Sequence, residues 1–157
     1  MSTGNFHAGL LTFLVADQWL GLNVNELSEV ITPQKRMALP LSPGCVNGLI
    51  NLRGRIITEL DLRTIIGLPD RKEEDPYRII VLEPDGNESF GLVVDGVGEV
   101  IDLDAENFEA TPDSFSEAWK QVSHGVLKQD GRVVVLIDVE KVLQLSLKEV
   151  QRGKVEA

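Results

Sequence analysis

A mainly β fold, built as two small five-stranded barrels in tandem with short helices, follows from three features of the chain. The first is an internal duplication. "GLINLRGRIITELDLRTIIGL" (Gly48–Leu68) aligns without a gap with "GVLKQDGRVVVLIDVEKVLQL" (Gly125–Leu145). "GLNVNELSEVI" (Gly21–Ile31) aligns with "GLVVDGVGEVI" (Gly91–Ile101). The second is the pattern: short apolar runs broken by turn residues, as in strands joined by hairpins. The third is the edge problem. Five short strands with one apolar face leave open edges, and closure into a barrel removes them. Two ordered matches make a doublet, not a longer repeat array.

The elements follow in order. "LLTFLVA" (Leu10–Ala16) and "WLGLNV" read as a hairpin turning at Asp17-Gln18. "YRIIVLE" (Tyr77–Glu83) and "SFGLVVD" (Ser89–Asp95) repeat it in the second half, with turn chemistry at Pro84-Asp85-Gly86-Asn87. Asp130-Gly131 between apolar runs is a strong hairpin signal. After each Gly-Arg strand comes an Asp and an apolar pattern of helical period: Leu62, Ile65, Ile66, and Val139, Val142, Leu143. "PDRKEEDP" (Pro69–Pro76) reads as a connector. The expected division is therefore residues 10–68, a connector over 69–76, residues 77–145, and a polar tail over 146–157. Strands exchanged between the two halves are compatible with it. The matched blocks stand 70 and then 77 residues apart, so the second half carries a seven-residue insertion, expected in 105–120. Each half alone makes a marginal core, so the two are expected to pack together.

Composition narrows the function. At 157 residues and 43% hydrophobic, the chain suits one domain or two very small ones with a real core. It shows no secretory leader and no membrane-length apolar run, and its single cysteine, Cys45, excludes an internal disulfide. A cytoplasmic setting is expected. Residues 1–69 hold five basic and five acidic side chains, and residues 70–157 hold ten and twenty, which accounts for the net charge of −10. Nucleic acid is excluded as a partner class, since phosphate binding needs clustered Lys and Arg. The acidic half serves either solubility or a basic partner surface.

Catalytic signals are thin. Asp61 and Asp138 occupy equivalent places, and paired carboxylates can share a proton. Each also immediately precedes a helical pattern, where capping the first turn is the simpler role. His7, His124 and Cys45 form no zinc-like spacing. "DGVGEV" has one Gly-x-Gly and no Lys-Ser/Thr pair, so it is no phosphate loop. Trp19, Trp119, Phe108 and Phe115 are expected in the core or at the junction of the halves. No cofactor is expected, and the absence of an enzyme signature favours a binding module.

Arg53-Gly54 stands where the second copy has Asp130-Gly131. Asp tolerates the positive φ of a tight turn better than Arg. Either Arg53 offers its planar guanidinium to a partner, or the first turn differs in type and Arg53 is solvated or pairs internally with an acid such as Glu59.

"VNGLINLRGRIITELDLRTIIGL" (Val46–Leu68) and "FGLVVDGVGEVIDL" (Phe90–Leu103) closely resemble the CheW family of bacterial chemotaxis coupling proteins, collinearly from about Leu10 to Leu145. The resemblance implies two intertwined SH3-like barrels and a non-enzymatic adaptor. Its partners would be the cytoplasmic tip of a methyl-accepting chemoreceptor and the regulatory domain of a CheA-type histidine kinase, with ring assembly alongside the kinase. The receptor helix would dock in an apolar groove between the two subdomains. By position, Leu27, Glu29, Val30, Arg53 and Val100 match residues of receptor coupling, with Gly48 and Glu59 on the surface around Arg53. A fusion adaptor or a kinase regulatory domain is the alternative within the same fold. An enzyme using Asp61 and Asp138 is the remote one. The chain departs from the family pattern at Thr58 and Glu59. Strand alternation sends these to opposite faces, and a charge at 59 is expected to point outward.

Overall fold

The computed structural model describes residues 9–39, 44–84 and 88–146. The expected turn at Pro84–Asn87 falls partly outside them, as do His7 and all but the first residue of the polar tail. Twelve strands are described: β1 (Leu10–Val15), β2 (Gln18–Asn23), β3 (Leu27–Ile31), β4 (Arg36–Met37), β5 (Val46–Leu52), β6 (Arg55–Asp61), β7 (Arg78–Leu82), β8 (Phe90–Val94), β9 (Gly96–Ile101), β10 (Phe108–Glu109), β11 (Ser123–Gln129) and β12 (Arg132–Ile137). Helices are short: α1 (Leu62–Ile65), α2 (Glu117–Val122) and α3 over 139–146.

The strands form two six-stranded sheets, β10-β11-β12-β2-β1-β9 and β3-β7-β8-β6-β5-β4. Each thus has five full strands and one two-residue edge strand. Substituting each strand by its counterpart in the other copy converts one order into the other. The β1–β2 hairpin of the first half lies in the sheet of the second half, joined by the parallel pairing Val135↔Leu20, and β7–β8 joins the sheet of the first half through Leu60↔Leu92. The sheets therefore do not follow the contiguous division 10–68 and 77–145.

Strand alternation sorts the apolar residues onto two faces. On β12, Val135 and Ile137 enter a core shared by both sheets, while Val134 and Leu136 enter a smaller cluster belonging to the first sheet. On β7, Ile80 and Leu82 face the shared core, and Ile79 and Val81 a cluster of the second sheet. The first sheet's cluster also contains Ile101 from β9 and Phe108 from β10, the two edge strands, so this sheet curls around it. The shared core takes Leu62 and Ile66 from α1 and its cap, and Val139, Val142 and Leu143 from α3. Phe115 and Trp119 pack on it edge to face at 6.4 Å. Trp19 and Phe108 pack on the first sheet's cluster, and Arg132 stacks over the Trp19 ring at 4.1 Å.

Asp61 and Asp138 cap α1 and α3. Asp61 Oδ1 accepts the Arg63 N–H (2.9 Å) and Asp138 Oδ1 the Lys141 N–H (3.2 Å). Each Asp also donates its own N–H at 2.8 Å to an equivalent carbonyl, of Cys45 or of Val122. The insertion is split. The offset between copies is 70 at Val30/Val100, 72 at Arg36/Phe108 and 77 at Ile50/Leu127, so α2 falls within the longer second step. In the connector, Arg71 donates to the carbonyls of Lys72 and Asp75 and stacks over Tyr77 at 4.3 Å.

Candidate functional site

The hairpin carrying Arg53 is built like its counterpart. Leu52 pairs with Arg55 and Gln129 with Arg132, leaving two residues in each turn. Arg53 and Gly54 have φ of 51° and 87°; Asp130 and Gly131 have 48° and 78°. Both turns have positive φ at both central positions, the type I′ pattern. A different turn type is therefore not the reason for Arg53. The arginine occupies a left-handed conformation that costs a side-chain-bearing residue about 1–2 kcal/mol.

Arg53 pairs with Glu29 on β3, not with Glu59. Arg53 is 67% exposed and Glu29 32%, so the pair contributes at most about 1 kcal/mol. A second ion pair lies beside it, Arg55 to Glu83 at 2.8 Å. The Ser89 hydroxyl and the Arg55 guanidinium hold the Glu83 carboxyl below its usual range.

Of the other residues singled out, Leu27 is half-buried, pairs with Leu82 and packs on the shared core. Val30 is 38% exposed and Val100 58% exposed. These valines occupy equivalent places on β3 and β9, edge strands of different sheets. Val30 pairs with Ile80 and Val100 with Leu11, and both partners face the shared core. Directly opposed residues share a face. The two valines therefore extend the buried face of each sheet past the point where the other sheet covers it. Ile56 and Val133 are a second exposed pair in equivalent places that sequence reasoning missed. The duplication aligns them, but nothing local marks them as exposed.

Glu59 does not lie on the surface. It is fully buried on β6, an interior strand between β5 and β8, and pairs with Arg36 of β4. Alignment with the buried Leu136 was the signal for this. Gly48 sits opposite Glu59 in the β5–β6 ladder. Its φ is +150°, and a Cβ there would lie 2.5 Å from the Met37 carbonyl oxygen. Both residues thus belong to the packing of the sheet edge.

Two polar cavities are described. One of about 280 Å³ is lined by Arg36, Arg63, Arg71, Asp61, Asp70 and Asp95, among others. Arg63 donates to Asp95 (2.7 Å) and to the Pro69 carbonyl (2.8 Å), and Asp95 also accepts the Ala16 N–H at 2.7 Å. This network ties α1 to the exchanged hairpin. The pKa of Asp61 is raised, chiefly by burial. The other cavity, about 440 Å³, is lined by Asp102, Asp104, Lys128 and Asp130, among others. Neither contains Leu27, Glu29, Val30, Arg53 or Val100. Among the described residues no group of three His, Cys, Asp or Glu could hold a metal.

The fold and site define a duplicated β-sheet protein whose edges present apolar side chains beside a charged hairpin. The chain belongs to the CheW-like domain family: that family model matches residues 9–146. It is 30% identical over 133 residues to "Probable chemotaxis protein CheW" of Rhizobium etli, covering 83% of this chain and 84% of that protein. It is 29% identical over 141 residues to "Chemotaxis protein CheW" of Thermotoga maritima, covering 89% and 91%. Among solved structures, it resembles the scaffolding protein TtCheW of Thermoanaerobacter tengcongensis with a TM-score of 0.74 and 31% identity, over 83% of this chain and 88% of that one.

Proposed function

We propose that this chain is a non-catalytic adaptor in chemotaxis signalling, joining the cytoplasmic tip of a chemoreceptor to the regulatory domain of a CheA-type histidine kinase. The observation that carries the reading is the pair of exposed valines, Val30 and Val100, which continue the shared-core face onto two edge strands, with the Glu29–Arg53 pair beside Val30. An amphipathic receptor helix laid against these exposed valines buries its apolar face there, as helix-in-groove recognition requires. The names of the relatives, chemotaxis proteins and a scaffolding protein, support the same class. The two aspartates that would make an enzyme are each engaged in capping their own helix, which supports a role without catalysis. No described helix is long and apolar enough to cross a membrane, and the proposed place of action is the cytoplasmic face of receptor arrays.

Calorimetric titration with a receptor-tip fragment and with a kinase regulatory domain tests this. Saturable binding to both is expected. Val30→Asp, Val100→Asp and Arg53→Ala should each weaken receptor binding with little change in Tm. Binding to neither partner by the unmodified chain would overturn the proposal.

A further inference from the structure

The two sheets hold their short edge strands by different means. In the first sheet β10 runs over Gly125, and Phe108 packs in the cluster that holds the buried Leu136. In the second sheet the same three places hold Arg36, Gly48 and Glu59: Arg36 pairs with Ile50 as Phe108 pairs with Leu127, and Gly48 with Glu59 as Gly125 with Leu136. The glycines do the same work. A Cβ on Gly48 would lie 2.8 Å from Arg36 Cγ, and one on Gly125 2.8 Å from Phe108 Cε2. Glycine clears the path along which each edge side chain crosses its neighbouring strand. What differs is the contact at the end of that path, an ion pair in one sheet and apolar packing in the other.

Glu59 Oε2 receives both Arg36 Nε (2.6 Å) and a terminal guanidinium nitrogen (2.5 Å), while its buried Oε1 has no hydrogen-bond partner among the described residues. The Glu59 side chain is 0% exposed and that of Arg36 34%. A buried ion pair stabilises a fold no better than well-packed apolar residues of similar volume, and withdrawing one partner leaves a buried charge uncompensated. Phe108 and Leu136 show that this fold accepts the apolar solution. Strands β4 and β10 each have two residue pairs to the neighbouring strand, but both β4 residues are exposed whereas Phe108 of β10 is half-buried. The docking of β4 therefore depends on one guanidinium that reaches inward from the surface.

We propose that the Arg36–Glu59 pair is an electrostatic latch on β4. The strand docks and undocks together with the pair, so the second sheet has the edge that opens and the first sheet the edge that stays closed. Either edge, once open, offers unpaired backbone N–H and C=O groups, but an open β5 also uncovers the Glu59 carboxylate where an open β11 would uncover the apolar Leu136.

Hydrogen–deuterium exchange on the full chain, with urea unfolding alongside, tests the latch. In the unmodified protein the amides of the β4–β5 pairing should exchange about tenfold faster than those of the β10–β11 pairing, through local opening below the global unfolding energy. Arg36→Phe with Glu59→Leu, which installs the other sheet's contact, should bring the two edges to equal protection. Glu59→Gln keeps the shape and removes the charge, and carries the test should the double variant not fold; it should speed exchange at β4–β5 alone. Equal protection of both edges in the unmodified protein, or unchanged β4–β5 exchange in Glu59→Gln, would overturn the latch.

Discussion

The hairpin tips of the two copies share a backbone and differ in what they carry. Arg53-Gly54 and Asp130-Gly131 adopt the same positive-φ pair, 51° and 87° against 48° and 78°. Asp130 suits that backbone; Arg53 is strained by it and instead reaches Glu29 across to β3. A duplicated fold thus separates two demands on one position. Where the copies agree, as at Gly48/Gly125 and Asp61/Asp138, backbone geometry dictates the residue. Where they differ, as at Arg53/Asp130 and Glu59/Leu136, the side chain answers to something in its own half.

The largest effect falls where the copies agree. Gly48→Ala and Gly125→Ala would each drive a Cβ to within 2.5–2.6 Å of a backbone carbonyl oxygen at strongly positive φ, and each should cost roughly 2–4 kcal/mol in urea unfolding. A much smaller loss at Gly48 alone would mean that the Arg36 edge gives way and the copies are not sterically equivalent. Asp138→Ala and Asp61→Ala should each cost about 1 kcal/mol as lost caps. A specific loss of partner binding from Asp138→Ala at unchanged stability would break that equivalence.

Asp61 also carries a pH signature. Its pKa is raised above the ordinary 3.8 chiefly by burial, so the folded state holds the proton more tightly than the unfolded chain. The resulting stabilisation is full below the unfolded value and disappears as pH rises through the folded one. Asp61→Asn keeps a capping residue and removes the titration, so the unmodified protein should gain Tm relative to this variant as pH falls from neutral. Parallel Tm–pH curves would show the burial to be without consequence.

Exchanging the tips sharpens the comparison directly. Arg53→Asn should stabilise the protein by about 0.5–1 kcal/mol, because Asn tolerates the left-handed region, while weakening receptor binding. Asp130→Arg should destabilise by a similar amount and leave binding intact. The smallest effect is the Glu29–Arg53 coupling itself. A double-mutant cycle should give a few tenths of a kcal/mol, falling with added salt.

Much of this was legible in the sequence. The hairpins, the helices after Asp61 and Asp138, and the duplication rest on local patterns that tertiary packing did not override. An exchange of strands was compatible with the division and implied by the resemblance, but which hairpins exchange was not legible, because β2 presents the same apolar pattern whether it joins β6 or β12. Glu59 was misplaced for a physical reason. A charge is expected at the surface unless a partner neutralises it, and Arg36 lies 23 residues upstream on a strand too short to show periodicity. Glu29 and Arg53 were both singled out, yet their pairing was not, since the bond crosses from an edge strand to a hairpin tip. For Val30 and Val100, alternation could mark a face but not where the opposing sheet stops.

The exchanged hairpin also sets an order of assembly. The second sheet draws on β3 through β8, so all its strands are available once residue 94 has left the ribosome. The first sheet begins with β1 and β2 but needs β12, which ends at Ile137 and pairs in parallel with β2. The β1 side of the earliest hairpin can pair with β9 once residue 101 is made, but its β2 side is among the last edges to find a partner. Such long-range pairing slows folding and leaves apolar strands waiting. A chain truncated before β12 should complete one sheet and leave the β2 side of the β9–β1–β2 set unpaired, open to pairing with another copy.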